Sequence, residues 1–348
     1  MKILVTGANG QVGHELLRAL AESPPLQGDG LGGDGLDAGA WPNPIPTPAL
    51  PLKGREKSTA SRQVIPATRD GALEDGTACE RLDLADIDGL GEALDRIDPQ
   101  LIVNAAAYTA VDRAEDEPEL AMRINADAVG TIGEWAARHA SCVVHYSTDY
   151  VFDGTATRPY REDDATNPLG TYGRSKLAGE RAFRESGARH LILRTAWVYG
   201  ARGQNFLRTM LRLAAERDEL RVVADQFGAP TSAGLIADVT ARAITRWLGS
   251  DDETGGRAMD GTYHLVAGGQ TSWCGFARAI FERATRVGLL KPAPRVEAIR
   301  TADYPTRAKR PAYSVLDTSR LRDTFQVGLP DWHGALNEVI DELAKTDS

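Results

Sequence analysis

The chain has 348 residues, of which 42% are hydrophobic and 26% charged, with a formal net charge of -9. That is the composition of an ordinary folded protein long enough for a sizeable core. The acidic balance argues against a general nucleic-acid or anionic-membrane binder, and no apolar run reaches the ~20 residues of a membrane span.

The chain opens on a short apolar run, Lys2 to Val5, with no signal-peptide pattern before it. Cys79, Cys142 and Cys274 lie far apart and lack metal-ligand spacing, so reduced thiols in the cytoplasm are the expectation. The strand leads into Thr6-Gly7-Ala8-Asn9-Gly10-Gln11-Val12-Gly13 and then the helical pattern Glu15 to Leu20. In a strand–turn–helix unit of this kind Gly7 permits the tight turn. Gly10 lets backbone N–H groups approach a phosphate, and Gly13 lets the helix pack close to the strand. The helix N-terminus then turns its positive dipole end toward a pyrophosphate.

Residues 24–51 hold seven Pro and six Gly with almost no periodic apolar face. Such a composition builds no packed core, so residues 23–62 read as an insertion. Gln63 to Arg69 resumes as a second strand. The end of that strand meets the adenosine ribose in a dinucleotide fold. Arg69 suits a 2′-phosphate, and with no acid evident to repel it NADPH is favoured over NADH; that Arg69 merely starts a solvated loop is the alternative. A third strand is expected at Leu82-Asp83-Leu84, a helix over 86–97, a strand over 101–107 and a long helix over 114–139. Strand and helix alternate, which predicts a doubly wound parallel sheet with right-handed crossovers.

Cys142-Val143-Val144-His145 enters the stretch Tyr146-Ser147-Thr148-Asp149-Tyr150-Val151-Phe152, and a helix follows with Tyr172-Gly173-Arg174-Ser175-Lys176. Tyr172 and Lys176 share a helix face. A phenol has a pKa of about 10, and an ammonium fixed beside it stabilises the phenolate and lowers that value. Such a phenol exchanges a proton with a carbonyl or alcohol oxygen. Thr148, at the end of the preceding strand, is placed to bond the same oxygen. The pair alone is a weak pattern; its context strengthens it. Beyond it, a strand is read at 190–194, helices at 205–217 and 233–248, a strand at 263–266 and a helix from Ser272. Arg300, Arg307, Lys309 and Arg310 form a basic loop that suits a diphosphate; a solvated turn is the alternative. Isolated carboxylates such as Glu15 and Asp153 give no metal pattern.

Together, Gly7–Gly13, Asn104-Ala105-Ala106-Ala107-Tyr108-Thr109-Ala110-Val111-Asp112, Ser147 to Phe152, Tyr172/Lys176, Arg194 to Tyr199, Asp225 to Thr231 and Tyr304 to Asp317 resemble the extended short-chain dehydrogenase/reductases. More narrowly, they resemble the dTDP-4-dehydrorhamnose reductase family. The resemblance spans nearly the whole chain outside residues 23–62. It implies a Rossmann-type domain over 1–194 and a smaller substrate-binding lobe over 195–348 that interleaves with the sheet. It implies reduction of the 4-keto group of dTDP-4-dehydro-L-rhamnose by NADPH or NADH, the last step of dTDP-rhamnose biosynthesis. Cofactor contacts are implied at Gly10, Gln11, Val12, Asp83, Leu84, Ala107, Tyr108, Thr109, Tyr146, Tyr172 and Lys176, and sugar-nucleotide contacts at Thr148, Asp149 and Trp197. Some members hold Mg²⁺ with glutamates at a dimer interface, where Glu15 matches one position; monomer and homodimer both stay open. Two rival readings remain. One is another nucleotide-sugar ketoreductase or epimerase. The other is a non-catalytic NADP-binding regulatory subunit, against which the intact Thr148/Tyr172/Lys176 set argues.

Overall fold

A computed structural model describes residues 1–22, 62–249, 257–290 and 292–346; the segment 23–61, which carries nearly all of the insertion, lies outside them. Seven parallel strands form the central sheet. They are β1 (Lys2–Thr6), β2 (Gln63–Thr68), β3 (Glu80–Arg81), β4 (Leu101–Asn104), β5 (Cys142–Thr148), β6 (Arg189–Thr195) and the strand Gly261–His264. Their spatial order is Gly261–His264, β6, β5, β4, β1, β2, β3, with Leu4 beside Ile102 and Ile65, and Val144 beside Val103 and Leu191. Because side chains alternate across a strand, Ile3, Val5, Val103, Val144 and Leu193 face one layer, and Leu4, Ile102, Val143 and Ile192 the other. Both layers are buried, which is why these strands read as continuous apolar runs.

The first layer holds α1 (Gln11–Glu22) and the helix Ala233–Gly249; the second holds α2 (Ile87–Ile97), the helix Ala128–Arg138 and Phe183 of the helix Thr171–Glu185. The strand order reverses between β1 and β4. At such a switch point the carboxyl ends of the strands open a crevice, and Gly7, Ala105–Ala107 and Thr148 stand there.

Four expected elements differ. The third strand pairs at Glu80–Arg81 and leaves Leu82 to Leu84 as loop. β4 stops at Asn104, where the side chain of Thr6 donates to the Asn104 carboxamide at 2.6 Å and takes the N–H of Ala106 at 3.2 Å, replacing sheet pairing. The last sheet strand spans Gly261–His264 rather than 263–266. The single helix expected over 114–139 is a 3-10 turn (Arg113–Glu115), a short helix (Pro118–Met122), a π turn (Arg123–Asp127) and the helix Ala128–Arg138. Pro118 cannot continue a preceding helical ladder because it lacks an N–H. The π turn carries Asn125, whose carboxamide takes the N–H of Tyr108 at 2.9 Å and donates to the Tyr108 carbonyl and to Ser175 Oγ, each at 3.0 Å.

After residue 195, the strands Glu219–Val223 and Arg295–Ile299 pair in parallel beside the helices Phe206–Glu216 and Trp273–Arg286. The strand Gly261–His264 returns to the main sheet. Arg194 and Glu180 fasten β6 to the helix Thr171–Glu185 in a fully buried bidentate pair, with both N–O distances 2.8 Å. Burial alone raises the Glu180 carboxyl, but the Arg194 guanidinium holds it below the ordinary value. No helix among the described residues is long and apolar enough to cross a membrane.

Candidate active site

A cavity of about 850 Å³ runs along the carboxyl ends of the strands. At one end lie Gly7, Asn9, Gly10, Gln11 and Val12; Thr68, Arg69, Asp70, Asp83 and Leu84 flank them. Gly7 has φ +65°, a left-handed value, and a Cβ there would stand 2.8 Å from the Ala106 backbone. A Cβ on Gly13 would meet the Gly7 carbonyl at 2.1 Å, so Gly13 sits behind the loop and lets α1 close on β1. Open backbone on the cavity side and glycine-only packing behind it are what a dinucleotide pyrophosphate needs. Asn205 donates to Gln11 Oε1 at 2.8 Å and holds that side chain from the far wall.

At the other end Thr148, Asp149, Tyr172, Lys176 and Trp197 line the same space, with Ala107, Thr109 and Tyr146 between. β5 delivers Thr148 and Asp149 at its end, and the helix Thr171–Glu185 delivers Tyr172 and Lys176 one turn apart. Gly173 lets this helix start against the Tyr150 carbonyl, which a Cβ would meet at 2.2 Å.

The electrostatics are those of a dry site. Burial pushes the Tyr172 phenol up to about 12, with the Thr148 hydroxyl working against the rise and the Asp149 charge adding to it. The sequence-based expectation that Lys176 lowers this phenol is not met: burial decides the direction, and the opposing influence is Thr148 rather than Lys176. Burial lowers the Lys176 ammonium to about 8, opposed by Glu180 one turn on. Asp149 is raised to about 6 by burial, opposed by Ser314 and Thr148. Thr148 donates to Asp149 Oδ1 at 3.0 Å, while Asp149 Oδ2 finds no hydrogen-bond partner among the described residues. Trp197 holds φ 48°, costly for an aromatic residue, and its indole stacks on Trp273 at 3.5 Å with Gly228 against it.

Two residues read from sequence stand apart from the cavity wall. Tyr108 turns its hydroxyl to Glu117 at 2.7 Å, and Gly13 acts from behind. Arg69 reaches the rim with 74% of its side chain exposed, paired to Asp70 at 3.4 Å. An acid therefore does stand beside Arg69 at the rim, contrary to the sequence reading; Asp70 was visible as the next residue. Half of the basic loop is neutralised: Arg310 pairs with Asp112 at 2.7 Å and Arg307 with Asp116. Glu15 is tied to Arg18, and no cluster of three His, Cys, Asp or Glu suited to a metal occurs among the described residues. Sequence reasoning missed His145 and Asn125, whose polar side chains carry no motif of their own.

The family model of the RmlD substrate binding domain matches residues 55–345. A dTDP-4-dehydrorhamnose reductase of Escherichia coli (strain K12) is 48% identical over 264 residues, 76% of this chain and 86% of the relative. One of Burkholderia thailandensis is 43% identical over 345 residues, 99% of both chains, so the two have nearly the same length, insertion included. The crystal structure of dTDP-4-dehydrorhamnose reductase from Bacillus anthracis in complex with NADP covers 98% of this chain and 99% of its own, with TM-score 0.76 and 29% identity. Sheet order, glycine loop, the Thr148/Tyr172/Lys176 set and these relatives agree: the chain belongs to the dTDP-4-dehydrorhamnose reductase family of extended short-chain dehydrogenase/reductases.

Proposed function

We propose that the protein reduces the 4-keto group of dTDP-4-dehydro-L-rhamnose to dTDP-L-rhamnose with NADPH or NADH. One observation carries the reading: a single cavity joins a glycine-lined phosphate cradle to a buried Tyr–Lys–Thr–Asp group. The names of the relatives supply the substrate, and the NADP in the Bacillus anthracis complex supplies the cofactor class. Gly7, Gly10, Gln11 and Val12 would hold the pyrophosphate, Arg69 or Asp70 the adenosine ribose, and Lys176 the nicotinamide ribose. Asp83, Leu84, Ala107, Thr109 and Tyr146 would line the rest, with Tyr108 acting through its backbone. When bound, the nicotinamide supplies hydride.

The chain's own residues then handle one proton. A ketone that gains hydride becomes an alkoxide, and the group that protonates it must be loaded beforehand. The raised Tyr172 phenol meets that need, since it keeps its proton throughout the neutral range. Lys176 stabilises the phenolate left behind. Thr148 orients the ketone oxygen, and the unpartnered Asp149 Oδ2 accepts from a sugar hydroxyl. Trp197, held by its stack, forms an apolar wall against the ring. The part of the chain from 195 to 348 is the substrate lobe in this reading, and 1–194 the cofactor domain. The test is product analysis. The enzyme with NADPH and the 4-keto sugar nucleotide yields a dTDP-hexose two hydrogens heavier by mass spectrometry, with rhamno configuration by NMR. A product of other configuration, or none, overturns the reading.

A further inference from the structure

Lys176 is buried, and its ammonium has one hydrogen-bond partner outside its own helix among the described residues. That partner is His145 Nε2 at 3.3 Å. His145 is itself buried on β5, three residues before Thr148, and stacks on Phe183. Its other ring nitrogen lies 3.1 Å from the Asn104 carboxamide, which lies 2.6 Å from Thr6 Oγ, which takes the Ala106 N–H at 3.2 Å. A chain of polar groups thus crosses β5, β4 and β1 from the lysine to the loop that lines the cavity. Burial pushes the imidazole well below its usual value, and Lys176 and then His190 add to the effect, so the ring is neutral.

A neutral imidazole has one N–H and one lone pair. To accept from the ammonium, Nε2 must offer the lone pair, which puts the hydrogen on Nδ1. In that state the Asn104 amide is turned end for end from the orientation described above, its oxygen to Nδ1 and its NH₂ to Thr6 Oγ, which then accepts rather than donates; the two ends of an amide are alike in shape. We infer that His145 is a positioning residue of the reductase: it receives one N–H of the Lys176 ammonium and, held by Asn104 and Thr6, aims that cation at Tyr172 and the nicotinamide ribose. A neutral acceptor suits this place. It orients the cation without quenching it, whereas the carboxylate Glu180 is bound by Arg194 and Arg184.

The groups that face Lys176 are Tyr172 and Glu180 on its own helix and His145 on β5, with His190 of β6 behind the imidazole. The inference rests on the reductase reading only in naming Lys176 as the working cation, so the test has two arms. In the first, the kcat/KM pH profile is recorded for wild type, His145→Phe, His145→Gln and His145→Asn. Without an acceptor the ammonium is less favoured, so in His145→Phe the alkaline limb moves to lower pH by about one to two pH units, the size of a lost hydrogen bond to a charged group. Turnover falls roughly tenfold or more. The Gln amide reaches the Nε2 place and restores the limb, whereas Asn reaches only the Nδ1 place and does not. If His145→Phe fails to fold, the Gln and Asn pair carries the comparison. In the second arm NADP⁺ affinity is followed by calorimetry across the same pH range with no sugar present, and the same order of shifts is expected. An inactive wild type would sink the reductase reading and leave this arm standing. Unshifted limbs in every His145 variant, or equal losses in Gln and Asn, would overturn the role of His145.

Discussion

Asp149 shows what the site costs the fold. Its carboxyl rises from 3.8 to about 6 because burial disfavours the anion. Between those values the folded protein binds a proton that the unfolded chain has lost, so stability falls as pH rises through that window. Above about 6 the full penalty is present, on the order of 3 kcal/mol at 1.36 kcal/mol per pKa unit. Asp149→Asn removes the charge and keeps the shape. It should raise the urea midpoint at pH 7 and not at pH 4, while kcat/KM falls at least tenfold for want of the sugar-hydroxyl acceptor. Equal midpoint changes at both pH values would show that the charge is not the cause. At the cavity rim the Arg69–Asp70 pair is exposed and worth little to stability, so the ribose contact proposed for it asks little of the fold. Arg69→Ala should lower the NADPH-to-NADH ratio of kcat/KM values roughly tenfold, and Asp70→Ala should raise it. Ratios that stay fixed in both would move the selection elsewhere.

At the scale of elements, the helix Thr171–Glu185 is placed by contacts that no periodicity announces. A Cβ on Gly179 would meet the Asn125 carbonyl at 2.0 Å. Gly179→Ala must therefore push the helix off the π turn, with a loss of about 1–3 kcal/mol in chemical denaturation and a drop in turnover from the displaced Tyr172 and Lys176. A stable, fully active Gly179→Ala would mean that this close approach does not set the helix. The parallel strands were legible because both faces are buried: Lys2 to Val5, Leu101 to Val103 and Cys142 to Val144 read as apolar runs. The glycine loop and the Tyr172/Lys176 spacing were legible because each obeys a local rule. The break at Pro118 to Asp127 was not, since Asn125 earns its π turn through partners 17 and 50 residues away. The short pairing at Glu80–Arg81 depends on β2 alone and has no pattern of its own. His145 was hidden for the opposite reason: inside an apolar strand a lone histidine looks like core, and only its 3.3 Å approach to Lys176 gives it a task.

For the whole molecule, the pairing of the strand Gly261–His264 with β6 and the Asp112–Arg310 contact bind the later half of the chain onto the sheet, so the cavity has walls from both. The glycine loop and Tyr172 are thereby held in one space, and the central claim is that this space performs a reduction with Tyr172 as its acid. The most direct measurement is the rate of NADPH oxidation with the 4-keto sugar nucleotide for wild type and Tyr172→Phe, alongside NADPH affinity. The phenylalanine keeps the ring and its packing and removes the proton. Wild type should turn over, and Tyr172→Phe should bind NADPH normally while turning over roughly 10²–10⁴ more slowly. A Tyr172→Phe protein that reduces the sugar at near wild-type rate would contradict the account.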